Sequence, residues 1–315
     1  DEDVAIESMA SCMRLAMDSI RRAAQSDLLV MLRGENGIGK TVVAECLHRH
    51  SHRSSHPFVT VNCPSLSAEL AASDLFGHRR GAFTGAVADQ LGKVEAAQGG
   101  SLFLDELGDL PLGVQARILR FLQDQAYERL GETITRYGDV RLITATNRDL
   151  EGLIANGSFR PDLFYRLSGI EITIPPLRDR RGDIVVLARK FLRDHGAAHG
   201  RSLEFAPAIL DVLASYDWPG NVRELSNEIQ RAVVMTADAV ITPEDLSSRL
   251  LASSSGNVYL GGEFTLQQVA DEHVSRVLKR HQRVGQVARV LDIERSTLLT
   301  KRRRLGVRPS RSSAH

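Results

Sequence analysis

Residues 34–41 read Gly34-Glu35-Asn36-Gly37-Ile38-Gly39-Lys40-Thr41 and match the pattern G-x-x-x-x-G-K-[ST]. An apolar run at residues 28–32 predicts a buried strand before the motif, and residues 42–47 have the apolar spacing of a helix. In this context the glycine loop and the helix N-terminus bind phosphate groups through backbone N–H groups. We expect Lys40 to reach the β- and γ-phosphates of a nucleotide and the Thr41 hydroxyl to bind Mg²⁺. A chance match is expected in roughly one chain of this length in a hundred, and the flanking elements make nucleotide binding the stronger interpretation.

The charge of the chain is unevenly distributed. The 315 residues carry a formal net charge of +1. Within this total, residues 276–311 contain twelve Lys and Arg residues against Asp292 and Glu294, a net charge of +10, so the remainder carries −9. A basic C-terminal block on an acidic body favours contact with a polyanion, and the alternative is a solvated basic surface. The length predicts two or three domains, and the composition is ordinary for a globular protein.

Cysteine content and the first residues indicate the compartment. Cys12, Cys46 and Cys63 are odd in number and have no paired spacing, so neither a disulfide framework nor a zinc site is indicated. The sequence begins Asp1-Glu2-Asp3 without a basic leader, and no apolar run approaches the length of a membrane span. We therefore expect a cytoplasmic protein that has no membrane partner.

Three further apolar runs predict strands with polar residues at their ends. In parallel α/β sheets ligands bind at the carboxyl ends of the strands, so these polar residues are expected beside the glycine loop. Asp105 would bind Mg²⁺, and Glu106 would polarise the attacking water. Thr146 and Asn147 would hold that water or sense the γ-phosphate. A turn-forming asparagine and a solvated strand end are the alternatives. The runs and their polar residues are 58–63 with Asn62, 101–106 with Asp105 and Glu106, and 139–147 with Thr146 and Asn147.

Two other segments of the α/β region contain residues of functional interest. Residues 74–86 place an aromatic side chain among glycines and small residues. This composition favours a mobile loop that offers Phe83 and Thr84 to a partner over a strand. Arg160 and Arg166 occur near the end of the region, where surface ion pairing is the ordinary role. An arginine from a neighbouring subunit can also stabilise the negative charge that develops when a γ-phosphate is cleaved.

The second half of the chain changes to short helices. Apolar spacing predicts helices over residues 184–195, 206–216 and 222–235. Arg223, in the first turn of the third helix, is placed to reach back over nucleotide phosphates. Residues 252–257 are rich in Ser with Gly and Asn, and predict a linker at a domain boundary.

The basic C-terminal segment has the pattern of a helix-turn-helix. Helices are predicted over residues 266–280, 284–291 and 295–305, with Asp292 at a left-handed turn position. Basic residues crowd the third helix, as phosphate and base-edge contacts require. DNA binding is therefore favoured over a solvated basic surface. The residues predicted to contact DNA are Arg295, Ser296, Thr297, Thr300, Lys301, Arg303 and Arg304.

These motifs together strongly resemble the AAA+ bacterial enhancer-binding proteins that activate sigma-54 RNA polymerase, the NtrC/PspF-like family. The likeness runs from about residue 7 to residue 307, nearly the whole chain. The hexapeptide Gly81-Ala82-Phe83-Thr84-Gly85-Ala86 matches the family's GAFTGA loop letter for letter, and it is far more specific than the glycine loop. Further family signatures occur at residues 75–78, 103–106, 145–147, 175–178 and 218–225.

The resemblance implies an AAA+ P-loop ATPase that uses ATP and Mg²⁺ and assembles into a ring, expected to be a hexamer, with its active sites between subunits. The implied catalytic residues are Glu106 and Asp105, a switch residue at Asn62 that restrains Glu106, and trans-acting arginine fingers at Arg160 and Arg166. The implied ATP-binding residues are Gly34, Glu35, Asn36, Gly37, Ile38, Gly39, Lys40 and Thr41, with sensor I at Thr146 and Asn147 and sensor II at Arg223. The implied Mg²⁺ ligands are Thr41 and Asp105, and the implied contact with sigma-54 is the hexapeptide 81–86.

The expected architecture has four parts, which are an α/β ATPase subdomain at residues 1–178, an α-helical lid at 179–250, a linker at 251–263 and a Fis-type helix-turn-helix at 264–311. The last, all-α part is expected to bind upstream enhancer DNA as a dimer. The expected function is a sigma-54-dependent transcription activator that couples ATP hydrolysis to remodelling of the closed promoter complex. The alternatives are an AAA+ DNA-binding regulator that works with another sigma factor or represses, and a generic AAA+ remodeller such as a helicase loader or chaperone.

Five positions depart from the family pattern. Asn36 and Ile38 stand where the family usually has Ser and Thr, and Thr41 stands where it usually has Glu. Asp292 stands where Gly is usual, and Arg302 stands where an apolar residue is common. Thr is the common choice in P-loop ATPases at large. The departures therefore bear on Mg²⁺ ligation, on the packing of the last helix and on the DNA sequence that is read, and they leave ATP use unaffected.

Overall fold

The computed structural model describes residues 11–63, 68–254, 265–280 and 284–304. The helices are α1 (Ser11–Ala24), α2 (Lys40–Arg49), α3 (Ala68–Phe76), α4 (Lys93–Ala96), α5 (Leu112–Asp124), α6 (Leu150–Ala155), α7 (Pro161–Leu167), α8 (Arg181–Ala198), α9 (Pro207–Ser215), α10 (Asn221–Met235), α11 (Ser248–Ser254), α12 (Leu266–Arg280), α13 (Val284–Val290) and α14 (Arg295–Arg304). The strands are β1 (Val30–Arg33), β2 (Phe58–Asn62), β3 (Gly77–His78), β4 (Gln90–Leu91), β5 (Ser101–Asp105), β6 (Ala126–Tyr127), β7 (Arg136–Tyr137), β8 (Arg141–Thr146), β9 (Ile170–Thr173), β10 (Glu204–Phe205) and β11 (Val240–Ile241).

A five-stranded parallel sheet in the order β2-β5-β8-β1-β9 forms the centre of the α/β region. Every residue of β8 is buried, as expected for the middle strand of a sheet covered on both faces. Because the strands are parallel, their carboxyl ends share one edge, where Asn62 is in register with Asp105 and Arg33 with Thr146. The glycine loop begins directly after β1, so it lies at the same edge.

Successive residues of each strand point to opposite faces and feed two separate cores. Val30 and Leu32 of β1 pack in a cluster with residues of α1 and α2, whereas Met31 packs in a second cluster with residues of α3, α5 and α7. The all-apolar run that identified this strand is therefore buried on both sides. The prediction of a parallel sheet with helices on both faces is confirmed.

The described chain divides into two compact units. The described residues within Asp1–Ala188 and Asp217–Asn227 form the first unit, and those within Arg189–Tyr216 and Glu228–His315 form the second. The segment that contains the signature Trp218 to Leu225 therefore belongs with the α/β region, although the two are far apart in the sequence. None of the described helices is long and apolar enough to cross a membrane.

The three C-terminal helices share a small apolar core of Val274, Val287, Ala288 and Leu298. The turn between α13 and α14 contains Asp292, whose φ of 50° is left-handed. The N–H of the next residue, Ile293, donates to the Ala288 carbonyl at 3.1 Å, which closes the helix in the manner of a Schellman cap. An aspartate thus occupies the turn position predicted for it.

Two sequence expectations differ from the structure. Residues 74–86 are a loop only in part, because α3 continues to Phe76 and β3 pairs with β4 as a short antiparallel ribbon. The glycine content of this segment obscured the buried Leu75 and Phe76, which belong to the core. The linker predicted from residue 251 overlaps α11, which ends at Ser254, and residues 255–263 lie outside the described residues.

The structure describes the side chains of two of the three cysteines. Cys46 and Cys63 are buried thiols. Burial, assisted by the negative charge of Asp105, raises the pKa of Cys63 to about 12, so this thiol stays neutral beside the carboxyl edge of the sheet. The side chain of Cys12 lies outside the described residues.

Candidate nucleotide-binding and catalytic site

The glycine loop wraps around the Lys40 side chain. Gly37 and Gly39 have positive φ values of 71° and 104°, which lets the chain turn sharply before α2 begins. Lys40 is 6% exposed, and its ammonium group donates to the carbonyls of Gly34 at 3.1 Å and Glu35 at 3.4 Å. A buried cation at the N-terminus of a helix is suited to an anionic group such as a phosphate.

The two acids at the end of β5 have different surroundings. Asp105 Oδ1 accepts the Glu106 N–H at 3.0 Å, which fixes its carboxylate at the end of the strand. Glu106 has a left-handed backbone, with φ of 55°. Its carboxylate lies 3.4 Å from the Lys40 ammonium and accepts the Asn147 N–H at 3.4 Å. Glu106 therefore lies between the glycine loop and the end of β8, as its proposed role beside a γ-phosphate requires.

The other polar strand ends differ in how they are arranged. Thr146 is buried, and its hydroxyl accepts the Arg148 N–H at 3.0 Å, whereas the Asn147 side chain is exposed. Asn62 is exposed at the end of β2, beside Asp105 in the register of the sheet. Among the described residues, the hydrogen bonds of the Glu106 carboxylate go to Lys40 and Asn147 and not to Asn62. The restraint expected of Asn62 on Glu106 is therefore not a contact in this structure.

Arg223 lies close to the glycine loop through its backbone. Its N–H donates to the Gly37 carbonyl at 3.0 Å, and its side chain is exposed. A Cβ atom on Gly37 would come within 2.4 Å of the Gly220 carbonyl oxygen, so the motif needs glycine here for this close approach as well as for its positive φ. The first turn of α10 is thus packed against the loop.

Sequence reasoning missed residues that hold the glycine loop from the side. Arg178 forms two hydrogen bonds with the Glu35 carboxylate, and Asn221 donates to Glu35 and to the Asn36 carbonyl. Arg180 donates to the Ile38 carbonyl at 3.2 Å. The available signal was the presence of Arg178 and Asn221 inside two family signatures, which by itself assigned them no partner.

The two candidate arginine fingers make contacts within their own neighbourhood. The Arg160 guanidinium forms an ion pair with Asp162 at 2.6 Å, and Arg166 donates to the Leu122 carbonyl at 3.0 Å. Among the described residues, neither has a hydrogen bond to Lys40 or Glu106. If these arginines take part in hydrolysis, they would therefore do so in the active site of a neighbouring subunit.

Thr41 and Asp105 have the chemistry that a magnesium ion needs. Thr41 lies half-buried in the first turn of α2, and Asp105 lies at the end of β5. The described residues contain no group of three or more His, Cys, Asp or Glu side chains that could hold a metal ion. A hydroxyl and a carboxylate are oxygen ligands of the kind that magnesium takes from a protein, one or two at a time, before it completes its shell with phosphate oxygens and water. The residues present therefore fit the ion.

The hexapeptide 81–86 forms a compact turn. The Gly81 N–H donates to the Ala86 carbonyl at 2.8 Å, and the Ala86 N–H donates to the Phe83 carbonyl at 3.0 Å. Thr84 is exposed, whereas Phe83 is half-buried against His78, with 5.0 Å between ring centroids, and Ala86 is buried. Thr84 is therefore available to a partner, while Ala86 supports the turn from within.

The base of this turn is fixed to a second loop. Arg79 forms ion pairs with Asp89 and with the half-buried Glu132, and its N–H donates to the Leu130 carbonyl at 2.9 Å. Gly131 has a positive φ, and a Cβ atom there would come within 2.9 Å of the Ala82 side chain. The hexapeptide is thus held at its root and open at its tip.

Most of the residues predicted to contact DNA are on the surface of α14. Arg295, Ser296, Thr297 and Thr300 are exposed, whereas the Lys301 ammonium lies 3.4 Å from Asp271 of α12. The side chains of Arg303 and Arg304 lie outside the described residues.

The fold and the site define an AAA+ P-loop ATPase. Two family descriptions match the chain, namely the sigma-54 interaction domain at residues 6–173 and the AAA+ ATPase lid domain at residues 178–259. The chain belongs to the family of sigma-54-dependent bacterial transcription activators, which confirms the resemblance recognised in its sequence.

Curated relatives and a solved structure agree with this assignment. The chain is 43% identical over 303 residues to the alginate biosynthesis transcriptional regulatory protein AlgB of Pseudomonas aeruginosa, with 96% of this chain and 68% of AlgB covered. It is 45% identical over 252 residues to the Nif-specific regulatory protein of Rhizobium meliloti, covering 80% of this chain and 47% of that protein. The crystal structure of NtrX from Brucella abortus in complex with ADP has a TM-score of 0.78 at 32% identity, covering 96% of this chain and 70% of that one. A structure of the same protein in complex with ATP has the same TM-score, 0.78.

Proposed function

We propose that this chain hydrolyses ATP between the glycine loop and Glu106 and uses the energy to drive the hexapeptide 81–86 against sigma-54, so that the closed promoter complex opens. The observation that carries the proposal is the position of the Glu106 carboxylate, which lies between the Lys40 ammonium and the backbone N–H of Asn147, the residue that follows β8. A group that activates the attacking water must lie next to the phosphate-binding lysine, and the Glu106 carboxylate does.

Each residue of the site has a distinct task in this mechanism. Backbone N–H groups of the glycine loop and the Lys40 ammonium bind the phosphates, and Glu106 orients the attacking water and accepts its proton. Thr41 and Asp105 would hold a magnesium ion, which supplies positive charge to the phosphate oxygens. Arg160 or Arg166 of a neighbouring subunit stabilises the negative charge that develops on the cleaved phosphoryl group. Hydrolysis therefore needs a ring, which we propose to be a hexamer.

Movement of the hexapeptide follows from the coupling of its root to the ATPase core. Residues 79 and 131 lie at the two sides of the root, and α3 connects the root to the α/β core. Loss of the γ-phosphate changes the contacts at the carboxyl edge of the sheet, and a loop with a fixed root and an open tip turns such a change into displacement of the tip. Thr84 and Phe83 would meet sigma-54.

The C-terminal helices are proposed to be a Fis-type helix-turn-helix that binds upstream enhancer DNA as a dimer. The left-handed turn at Asp292 and the exposed polar face of α14 support this role. The basic block of residues 276–311 would supply phosphate contacts, so DNA affinity should fall steeply with salt concentration. DNA binding concentrates the activator near the promoter, whereas the ATPase acts on polymerase.

The function is tested by open-complex formation with purified sigma-54 RNA polymerase, enhancer DNA and ATP. The unaltered chain should open the promoter only when ATP is present. Thr84→Ala should hydrolyse ATP normally and fail to open the promoter, while Thr60→Ala, which alters an exposed threonine at the edge of the sheet, should do both. Promoter opening by Thr84→Ala at the normal rate would contradict the role of the hexapeptide.

A further inference from the structure

The second residue of the phosphate loop is a glutamate, which is an unfavourable side chain to place beside a triphosphate. A carboxylate within a few ångström of phosphate oxygens repels them unless its charge is neutralised or directed away. Glu35 is part of the sequence motif, yet in the part of the chain that the structure describes its side-chain hydrogen bonds go to Arg178 and Asn221, outside the loop. Its side chain therefore needs a separate account.

The Glu35 carboxylate accepts three hydrogen bonds from residues outside the loop. The Arg178 guanidinium donates to both of its oxygens, at 2.6 and 2.9 Å, in the bidentate geometry that gives the strongest and most directional ion pairs. Asn221 adds a third donor at 3.0 Å. These donors hold the pKa of Glu35 at about 2, so the carboxylate remains charged and neutralised by Arg178 near neutral pH.

Asn221 extends the contact from the side chain to the backbone of the loop. It is fully buried at the start of α10 and has a left-handed φ of 52°. Its amide nitrogen also donates to the Asn36 carbonyl at 3.1 Å, and its amide oxygen accepts the Leu177 N–H at 2.9 Å. One buried side chain therefore connects the phosphate loop, the segment before α8 and the first residue of α10.

The backbones of the loop and of α10 meet directly beside these side chains. The Arg223 N–H donates to the Gly37 carbonyl at 3.0 Å, and Gly37 packs so closely on Gly220 that a Cβ atom would not fit. A single backbone hydrogen bond is weak when both partners can move. The contacts of Glu35, beside this hydrogen bond, supply the constraint that keeps the phosphate loop and the start of α10 together.

We propose that Glu35 is a positioning residue that sets the affinity for nucleotide by tying the phosphate loop, through Arg178 and Asn221, to the turn of α10 that carries Arg223. This inference rests on the phosphate-binding role of residues 34–41. The carboxylate acts through the protein and does not bind the nucleotide, so its effect is present before any nucleotide arrives.

The first test measures, in the absence of nucleotide, whether Glu35 holds the phosphate loop against the first turn of α10. Hydrogen–deuterium exchange of the segment that contains the Arg223 amide should be faster in Glu35→Gln than in the unaltered chain. Asp27→Asn is the matched control, because Asp27 also forms a two-oxygen ion pair with an arginine, Arg53, but at the opposite end of β1. Its exchange at residue 223 should be unchanged. Normal exchange in Glu35→Gln would overturn the proposal.

The second test measures the affinity for a fluorescent ADP analogue. Glu35→Gln and Arg178→Met should each weaken binding about tenfold, the equivalent of losing one charge-assisted hydrogen bond. The double variant should bind as tightly as either single variant, because both remove the same tie. Fully additive losses, or tighter binding once Arg178 is freed from Glu35, would overturn the proposal.

Two further variants keep the test decisive. If Glu35→Gln does not fold, Arg178→Lys retains the positive charge and removes the bidentate geometry, and it should produce the same faster exchange and weaker binding. Lys40→Ala separates this proposal from the assignment of the loop. Loss of binding in Lys40→Ala with normal binding in Glu35→Gln would refute only the tie, whereas normal binding in Lys40→Ala would refute the loop's phosphate-binding role.

Discussion

Glu106 has a backbone conformation that side chains other than glycine rarely adopt. Its φ of 55° costs about 1 kcal/mol and is maintained only because the strand before it and the 3₁₀ turn after it fix the chain on both sides. The same conformation directs the carboxylate toward Lys40 and Asn147. A strained residue at a strand end that also touches the phosphate-binding lysine is a candidate for catalysis and not for stability alone.

Replacement of Glu106 by glutamine should separate binding from hydrolysis. The amide keeps the size of the side chain but cannot accept a proton, so the turnover number should fall by about 10²- to 10⁴-fold while ATP remains bound. Single-turnover hydrolysis and equilibrium binding of labelled ATP measure the two quantities. Glu45→Gln, at an exposed position of α2, is the control, and normal turnover in Glu106→Gln would remove Glu106 as the group that activates water.

The ion pair between Arg33 and Glu151 makes part of the stability dependent on pH. The hydrogen bond from Arg33 lowers the pKa of Glu151 from 4.5 to about 2. Because the folded value is the lower one, the stabilisation is present above pH 4.5 and is lost as the pH falls toward 2. The Glu151 side chain is 55% exposed, so solvent screening limits the contribution to about 0.5–1 kcal/mol near neutral pH.

Glu151→Gln should therefore be slightly less stable than the unaltered chain at pH 7 and equally stable near pH 2. Urea unfolding can be followed by the fluorescence of Trp218, the single tryptophan, which is buried in the same compact unit as Arg33 and Glu151. A difference in midpoint that stays constant from pH 7 to pH 2 would show that Glu151 stabilises the fold by something other than its charge.

At the scale of the element, α14 has one face that belongs to a core and one that is exposed. Leu298 is fully buried against Val274, Val287 and Ala288, while the next residue, Leu299, is 52% exposed. Most other residues of α14 are polar or basic. The position of the helix therefore depends on the packing of Leu298. Short helices of this kind are stabilised mainly by tertiary packing.

Leu298→Ala should destabilise the three C-terminal helices by about 2–5 kcal/mol, because it creates a cavity in a very small core. DNA affinity should be lost, while ATPase activity, which belongs to the other compact unit, should remain. Leu299→Ala should leave the thermal transition unchanged. Circular dichroism and a DNA-binding titration on the same preparations test this, and tight DNA binding by Leu298→Ala would contradict the proposed helix-turn-helix.

At the scale of the whole molecule, the position of Arg160 bears on assembly. Its guanidinium pairs with Asp162 in the first turn of α7, which Arg160 directly precedes, and a catalytic role therefore requires a second copy of the chain. Arg160→Ala should reduce ATP hydrolysis by about 10³-fold if the arginine acts as a finger. The loss should occur without a change in the stability of the monomer, since the residue is on the surface.

Mixing two inactive variants tests whether the finger acts between subunits. Arg160→Ala retains Glu106, and Glu106→Gln retains Arg160, so a mixed ring should regain part of the ATPase activity at interfaces that combine the two intact residues. A mixture of Glu106→Gln with Lys40→Ala should stay inactive, since no subunit then has both Lys40 and Glu106. Absence of recovery in the first mixture, with ring assembly intact, would refute the shared site.

The sequence by itself determined the chemistry of the site and the class of protein. The glycine loop, the adjacent acids at 105–106 and the hexapeptide 81–86 are contiguous, and each uses residue types that few other structures require. Local spacing also predicted the strands that carry them, because a strand covered on both faces must be apolar throughout. The left-handed turn at Asp292 was readable for the same reason, since the constraint lies within a few residues.

Only the tertiary structure decided which side chains meet. The partners of Glu35 are 143 and 186 positions away along the chain, and no local pattern contains the direction in which a side chain points. The same holds for Lys301, whose sequence indicates a DNA contact although its ammonium lies beside Asp271, and for Asn62, which is adjacent to Asp105 but not bonded to Glu106. Periodicity fixes which face of an element is buried, whereas the pairing of polar groups depends on how distant elements pack.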